Sequence, residues 1–258
     1  FGTLGVFISE GGLDTDNTAS QSVVSRPSDT SFNEGMFDTF DLSGMNTLQY
    51  HMPADMLPFG IGAKVGYVPD MNDTGMQSAK DNNALPGTHA TGRTMTMLQL
   101  TAAPIDGLSI QGDIAETGGE TGPNGKEEGI SANLGAVYSM GQLSVSYIEG
   151  GFQPAVGTAT QGTVTYENKF LAAQFDVNDN VSVSYHIDES LRSTRQGSIT
   201  AGSKTQTKTD IEMEQESLQL AYTTGGATIG IAQNEVDNSD YTSGKKETQS
   251  VVSLAISF

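Results

Sequence analysis

Twelve stretches of this chain alternate apolar and polar residues with a period of two, and the connections between them alternate long and short without exception. The stretches are Phe1 to Ser9, Asn46 to Met52, Phe59 to Val68, Thr94 to Ala103, Leu108 to Ala115 and Gly129 to Met140, followed by Leu143 to Glu149, Phe170 to Val177, Val181 to Asp188, Glu216 to Thr223, Ala227 to Asn234 and Gln249 to Phe258. The first connection, 10–45, is the longest. A Greek-key sandwich carries long or short loops at either end, so it has no reason to keep such a rhythm. An up-and-down barrel that crosses a membrane does, with brief turns gathered on one side and extended loops on the other. Asp106-Gly107, Asn178-Asp179-Asn180 and Gly225-Gly226 fall in short connections, and these residues tolerate the left-handed backbone of hairpin turns. No helical period competes.

Successive side chains of a strand point to opposite faces, so each stretch sorts into two sets. One set is apolar: Leu48, Tyr50, Val65, Tyr67, Leu98, Leu100, Ile110, Ile114, Leu134, Tyr138, Val145, Tyr147, Leu171, Phe175, Val183, Tyr185, Leu218, Leu220 and Tyr222. The other holds Gln49, His51, Lys64, Gln99, Gln111, Asp113, Asn133, Ser146, Gln174, Asp176, Ser182, Ser184, His186, Asp188, Gln219 and Asn234. Amides and charges are costly to bury dry, so the polar face is expected to be wetted from inside and the apolar face to meet lipid. The last stretch repeats the pattern, with Val252, Leu254, Ile256 and Phe258 on one face and Val251, Ser253, Ala255 and Ser257 on the other. A closing strand that ends on an aromatic suits the headgroup belt of an outer-membrane barrel.

Composition agrees with a wall around water. Only 36% of the 258 residues are hydrophobic, low for a packed core of this length. No run approaches the roughly 18 apolar residues of a membrane helix, but a barrel strand needs only about 9–11 residues in all. The absence of cysteine excludes disulfides, thiol catalysis and thiolate metal sites. Phe1 opens the chain without a leader, so either a signal peptide has been removed or the numbering begins inside a longer protein. A formal charge of -19 argues against nucleic acid as a partner and favours cations. Residues 1–258 are expected to form a single β-barrel domain.

At Phe1-Gly2-Thr3-Leu4-Gly5-Val6, the very long connection that follows and the terminal Phe258, the chain resembles the general trimeric porins of Gram-negative bacteria. The resemblance implies a transmembrane antiparallel β-barrel, of which twelve strands are readable here as part of a 16-stranded wall. It implies that 10–45 folds inward as a pore-constricting loop, and that the chain works as an outer-membrane homotrimer in contact with lipid and lipopolysaccharide. The implied activity is passive diffusion of ions and small hydrophilic solutes, with neither enzymatic chemistry nor a cofactor. The sequence departs from the family in lacking a clean P-E-F-G-G loop tip; Pro27-Ser28-Asp29 and Asn33-Glu34-Gly35 are loose analogues.

The first connection carries Glu10, Asp14, Asp16, Asp29, Glu34, Asp38 and Asp41 against one base, Arg26. Seven acids on an exposed loop would be a solvated face. Inside a pore about 10 Å wide they would act on a passing ion, because the Debye length is about 8 Å at physiological salt and carboxylate rings favour cations. Lys64 falls on the inner face and is the basic candidate for a field across the constriction, or for a salt bridge to the folded loop. Arg192, Arg195, Lys204 and Lys208 fall in the expected loop 189–215, solvated, in contact with lipopolysaccharide phosphates, or part of a flap over the mouth. Asp14 to Asn17 and Asp237 to Asp240 offer oxygen ligands for a loop-bound calcium ion without the full calcium-loop pattern. His51, His89 and His186 lack metal spacing, and Ser184, His186 and Asp188 point in parallel rather than converge. The competing readings are a complete 12-stranded barrel acting as a selective channel or enzyme, and a non-membrane β-sandwich adhesin.

Overall fold

The computed structural model describes residues 2–8, 13, 46–53, 56–71, 93–118, 129–153, 163–200 and 203–256. They form twelve strands: β1 (Thr3–Ile8), β2 (Asn46–Met52), β3 (Gly62–Met71), β4 (Arg93–Ala102), β5 (Leu108–Gly118), β6 (Ile130–Met140), β7 (Leu143–Gln153), β8 (Thr163–Asn178), β9 (Val181–Thr200), β10 (Ser203–Thr224), β11 (Ala227–Asp237) and β12 (Lys246–Ile256). All lie in one sheet in chain order, each hydrogen-bonded antiparallel to its sequence neighbours. This is the up-and-down topology that the loop rhythm implies. Among the described residues no register joins β1 to β12.

Local chemistry sets the short turns. Asn178 Oδ1 accepts hydrogen bonds from the backbone N–H groups of Asn180 (2.9 Å) and Val181 (3.1 Å), while Asn180 Nδ2 donates to the Thr223 carbonyl on the next hairpin at 2.7 Å. At the β4–β5 turn Gly107 takes φ 76, and a Cβ there would stand 2.3 Å from the Ser139 carbonyl oxygen. Only glycine meets both conditions.

Three strands outrun their sequence boundaries by seven residues or more. β8 begins at Thr163 rather than Phe170, β9 continues to Thr200 instead of stopping at Asp188, and β10 starts at Ser203 rather than Glu216. The expected long loop over 189–215 is therefore mostly a strand pair, in register from Glu189↔Glu214 up to Thr200↔Ser203, joined by a two-residue connection. Segments such as S-T-R-Q and K-T-Q-T-K-T-D have no apolar side, so hydrophobic alternation is silent there. Threonine-rich cross-strand pairs such as Thr194↔Thr209 still favour the ladder.

The two faces are inverted relative to a water-soluble protein. Leu134 and Leu218 are each 62% exposed, and Leu48, Val65, Leu100, Ile114, Leu171, Ile229 and Ile231 stand open on the same outer face. Opposite them Gln49, Gln99, Asp113, Asn133, Ser146, Asn168, Ser184, His186, Asp188, Gln219 and Asn234 are buried. Water-soluble monomers rarely expose apolar patches beyond a few hundred Å², whereas this one runs across strand after strand. Exposed Tyr138, Phe175 and Tyr222 lie close to the short turns, and Tyr67, Tyr147 and Tyr185 lie farther along their strands. Aromatics in those places match the girdles of membrane barrels.

Candidate functional site: the inner wall

The inner face is organised in rows that run along the hydrogen-bonding direction. One row reads His51, Lys64, Gln99, Asp113, Asn133, Gly150, Asn168 and Ser190, directly opposed in sequence from β2 to β9. Every side chain in it is polar, and it carries a base and an acid, Lys64 and Asp113, separated by Gln99. Lys64 sits on the same face of β3 as Gly66 and Val68 and is only partly buried. Along single strands, residues two apart extend these contacts. His51 Nε2 meets Gln49 Oε1 at 2.7 Å and Gln49 Nε2 donates to Thr47 Oγ1 at 2.8 Å, with Phe7 stacked on the His51 ring at 5.3 Å. Near the short turns Ser182 Oγ and Gln174 Nε2 both donate to Asp176 Oδ1, at 2.6 and 3.2 Å.

The neighbouring row on the long-connection side is different. From β4 to β8 it reads Met97, Ala115, Ser131, Phe152 and Tyr166, with Arg192 opposite Tyr166, so four of the five are apolar or aromatic. Together with Val68, Met95, Val164, Met213 and Val236 these four form one buried apolar cluster spanning β3 to β11. Two residues from connections join this cluster: Leu13, between β1 and β2, and Tyr241, between β11 and β12. Leu13 is the one described residue of the connection 9–45, and it is fully buried against the inner wall. The expected open, wetted lining is therefore corrected at this height: side chains of the long connections cover an apolar band of the wall. Parity alone could have found the band, since Met95 and Met97 share a face with Gln99. Nothing in the sequence marks Tyr241.

Glu10, Asp14, Asp16, Asp29, Glu34, Asp38 and Asp41 lie outside the described residues, as do Asp14 to Asn17 taken as a cation loop and His89. Arg192 is corrected from an outward loop contact to an inner-wall residue of β9: its guanidinium lies 4.7 Å from the Tyr241 ring centroid and donates to the Tyr241 carbonyl at 3.3 Å. Lys208 pairs with Asp210 at 2.8 Å on β10. In the second cation candidate Asp237 is held by Lys246 at 2.8 Å, and Asp240 is held by Lys245. Among the described residues no group of three or more histidines and acids stands arranged to hold a metal. His186 lies edge-on to Phe170, ring centroids 5.5 Å apart, and opposes Ala172 and Ser217 in register.

The wall geometry has known counterparts. No family model matches the chain, and no curated protein matches it. Among solved structures it is similar to an anion-selective porin from Comamonas acidovorans, at 15% identity and TM-score 0.56, over 81% of this chain and 58% of that one. OmpT, an outer membrane protein of Vibrio cholerae, resembles it at 11% identity in a trimer form, with TM-score 0.49, covering 85% of this chain and 69% of that one. An OmpT variant with loop L8 deleted gives 11% identity and TM-score 0.48, covering 74% and 57%. The chain thus spans under two thirds of the length of the porin and of the loop-deleted OmpT. At such identities the porin shares a fold with this chain: an all-antiparallel, up-and-down β-barrel wall of the outer-membrane kind.

Proposed function

We propose that this chain forms the wall of a channel in the outer membrane of a Gram-negative bacterium, passing ions and small hydrophilic solutes by passive diffusion with a weak preference for cations. The observation that carries the reading is the inversion of its faces, with Leu134, Leu218 and their neighbours presented outward while Asp113, Asn133, His186 and Gln219 turn inward. In lipid an apolar exterior is at home and a polar lining keeps water inside. The edges of β1 and β12 have no described partner. An unpaired backbone group in hydrocarbon costs several kcal/mol, so we take these edges to be joined through further strands of the same wall, sixteen in all as in the general porins. A homotrimer bathed in lipid and lipopolysaccharide, without enzymatic activity, completes the proposal.

Cation preference rests on the charge of -19 and on an inner face where Asp113, Asp176 and Asp188 outnumber Lys64 and Arg192 among the described residues. The porin from Comamonas acidovorans is described as anion-selective. One fold carries either preference, because the lining side chains set it. Purified protein reconstituted in a planar bilayer under a potassium chloride gradient tests both parts. Stepwise conductance with a reversal potential of cation sign is expected. A reversal potential of chloride sign overturns the preference, and a protein that stays in solution without detergent overturns the membrane reading.

A further inference from the structure

We propose that the β11–β12 connection is a latch, a second and releasable narrowing of the channel held inward by Tyr241; this rests on the channel reading above. The connection makes a tight turn at Ser239–Tyr241, closed by the Thr242 N–H donating to the Ser239 carbonyl, and Tyr241 is 6% exposed although it lies outside any strand. Its ring leaves β11 and reaches two and three strands back. It packs against Tyr166 of β8 with centroids 5.6 Å apart, its hydroxyl meets Ser190 Oγ of β9 at 2.7 Å, and Arg192 lies over its face. Ser190 is itself anchored, donating to Asn168 Oδ1 at 2.6 Å. One side chain thus ties a terminal connection to the inner wall through a ring contact, a hydroxyl bond and a cation.

The backbone holds this turn in a conformation it would not keep unaided. Asn238, Asp240 and Tyr241 all take left-handed angles, at φ 53, 54 and 52. For a bulky residue such as tyrosine this is unusual, and it persists where the surroundings over-determine it. The clamps are visible: Asn238 Nδ2 donates to the Glu212 carbonyl, Asn238 Oδ1 accepts from the Gly244 N–H, both at 2.8 Å, and Lys245 bridges Asp240 and Glu247. Those clamps shape the turn, whereas the seat that Tyr166, Ser190 and Arg192 provide is what holds the ring inward. Releasing Tyr241 uncovers part of the apolar band and takes a large ring out of the inner space.

The test compares the wild type with Tyr241→Ala and Tyr241→Phe, each folded in detergent and reconstituted in planar bilayers. Hydrogen exchange is read on the Ser239, Thr242 and Lys245 amides, which close the turn by donating to Lys245, Ser239 and Thr242. In Tyr241→Ala protection is lost at these three amides but kept along β11 and β12, and unit conductance rises. Tyr241→Phe, which keeps the ring and loses the Ser190 bond, falls between. Retained protection in Tyr241→Ala overturns the latch, as does unchanged conductance where the wild type conducts. A wild type without conductance steps, with turn protection still lost in Tyr241→Ala, sinks the channel reading and leaves the latch as a closure over the wall's inner space.

Discussion

Gly150 lies beneath the side chain of Asn133: a Cβ placed on Gly150 would stand 1.7 Å from Asn133 Oδ1 and 2.8 Å from the Ala132 carbonyl oxygen. The two residues oppose each other in the β6–β7 register, so the amide of one strand rests on the bare backbone of the next. Asn133 can swing away from a methyl group, but the carbonyl cannot. Gly150→Ala is expected to lower stability by roughly 1–3 kcal/mol, the usual range for overpacking. Urea unfolding from lipid vesicles measures this, and a midpoint equal to wild type would mean that the wall yields there.

Leu220 is 41% exposed and faces outward between Val183 and Ile231. In water Leu220→Arg would be nearly silent. On a lipid face near the bilayer midplane, a charged residue costs about 2–4 kcal/mol. The same urea titration separates the two environments, and an unaffected variant would contradict the assignment of this face to hydrocarbon.

Gly107 combines left-handed backbone with a 2.3 Å approach to the Ser139 carbonyl. Gly107→Ala is expected to cost about 1–3 kcal/mol, since the residue acquires strain as well as a clash. Gly141 is also left-handed, at φ 61, but a Cβ added there would meet nothing within 4 Å. Its alanine variant should lose less in the same assay, and equal losses would show that conformation alone matters.

Hydrogen bonds to Asp240 and then Glu247 hold the Lys245 ammonium above the ordinary lysine range. A lysine raised in the folded state contributes stability that is fully present below its unfolded value and is lost as pH rises through the folded one. The wild type should therefore melt slightly higher than Lys245→Met near neutrality, and the advantage should vanish in strong alkali. The group is exposed, so the difference is small and falls further with salt. An advantage that grows with pH would refute the assignment.

Lys64 brings positive charge to a row that otherwise carries Asp113. Lys64→Glu is expected to raise the cation-to-anion permeability ratio and Lys64→Gln to raise it less, both read from reversal potentials in a salt gradient. An unchanged ratio would place Lys64 off the ion path by more than about a Debye length.

Much of the wall is legible in the sequence because a membrane imposes a strict rule on alternate residues. Leu48 and Tyr50 against Gln49, or Leu218 and Leu220 against Gln219, give their faces away in three letters. Beyond the lipid that rule lapses, which is why the strand run from Glu189 to Thr200 reads as a loop and Arg192 falls on the wrong side. The wall side of the apolar band is legible by parity, from Met95 and Met97, but its covering side chains are not, since no periodicity ties Leu13 or Tyr241 to them. Contacts made across such long separations follow from the curved shape of the wall and not from neighbouring letters.

Because each described strand bonds to the strands before and after it, most ladders form between neighbouring segments, with β1 and β2 meeting across the longest connection. Assembly can proceed like a zip, one hairpin docking on the last. Apart from the long connections closed within hairpins, the entropy of long-range closure is deferred to the final seam and to the side chains that later fold inward. The advancing edge is the only raw surface at any moment, and the next hairpin to arrive covers it.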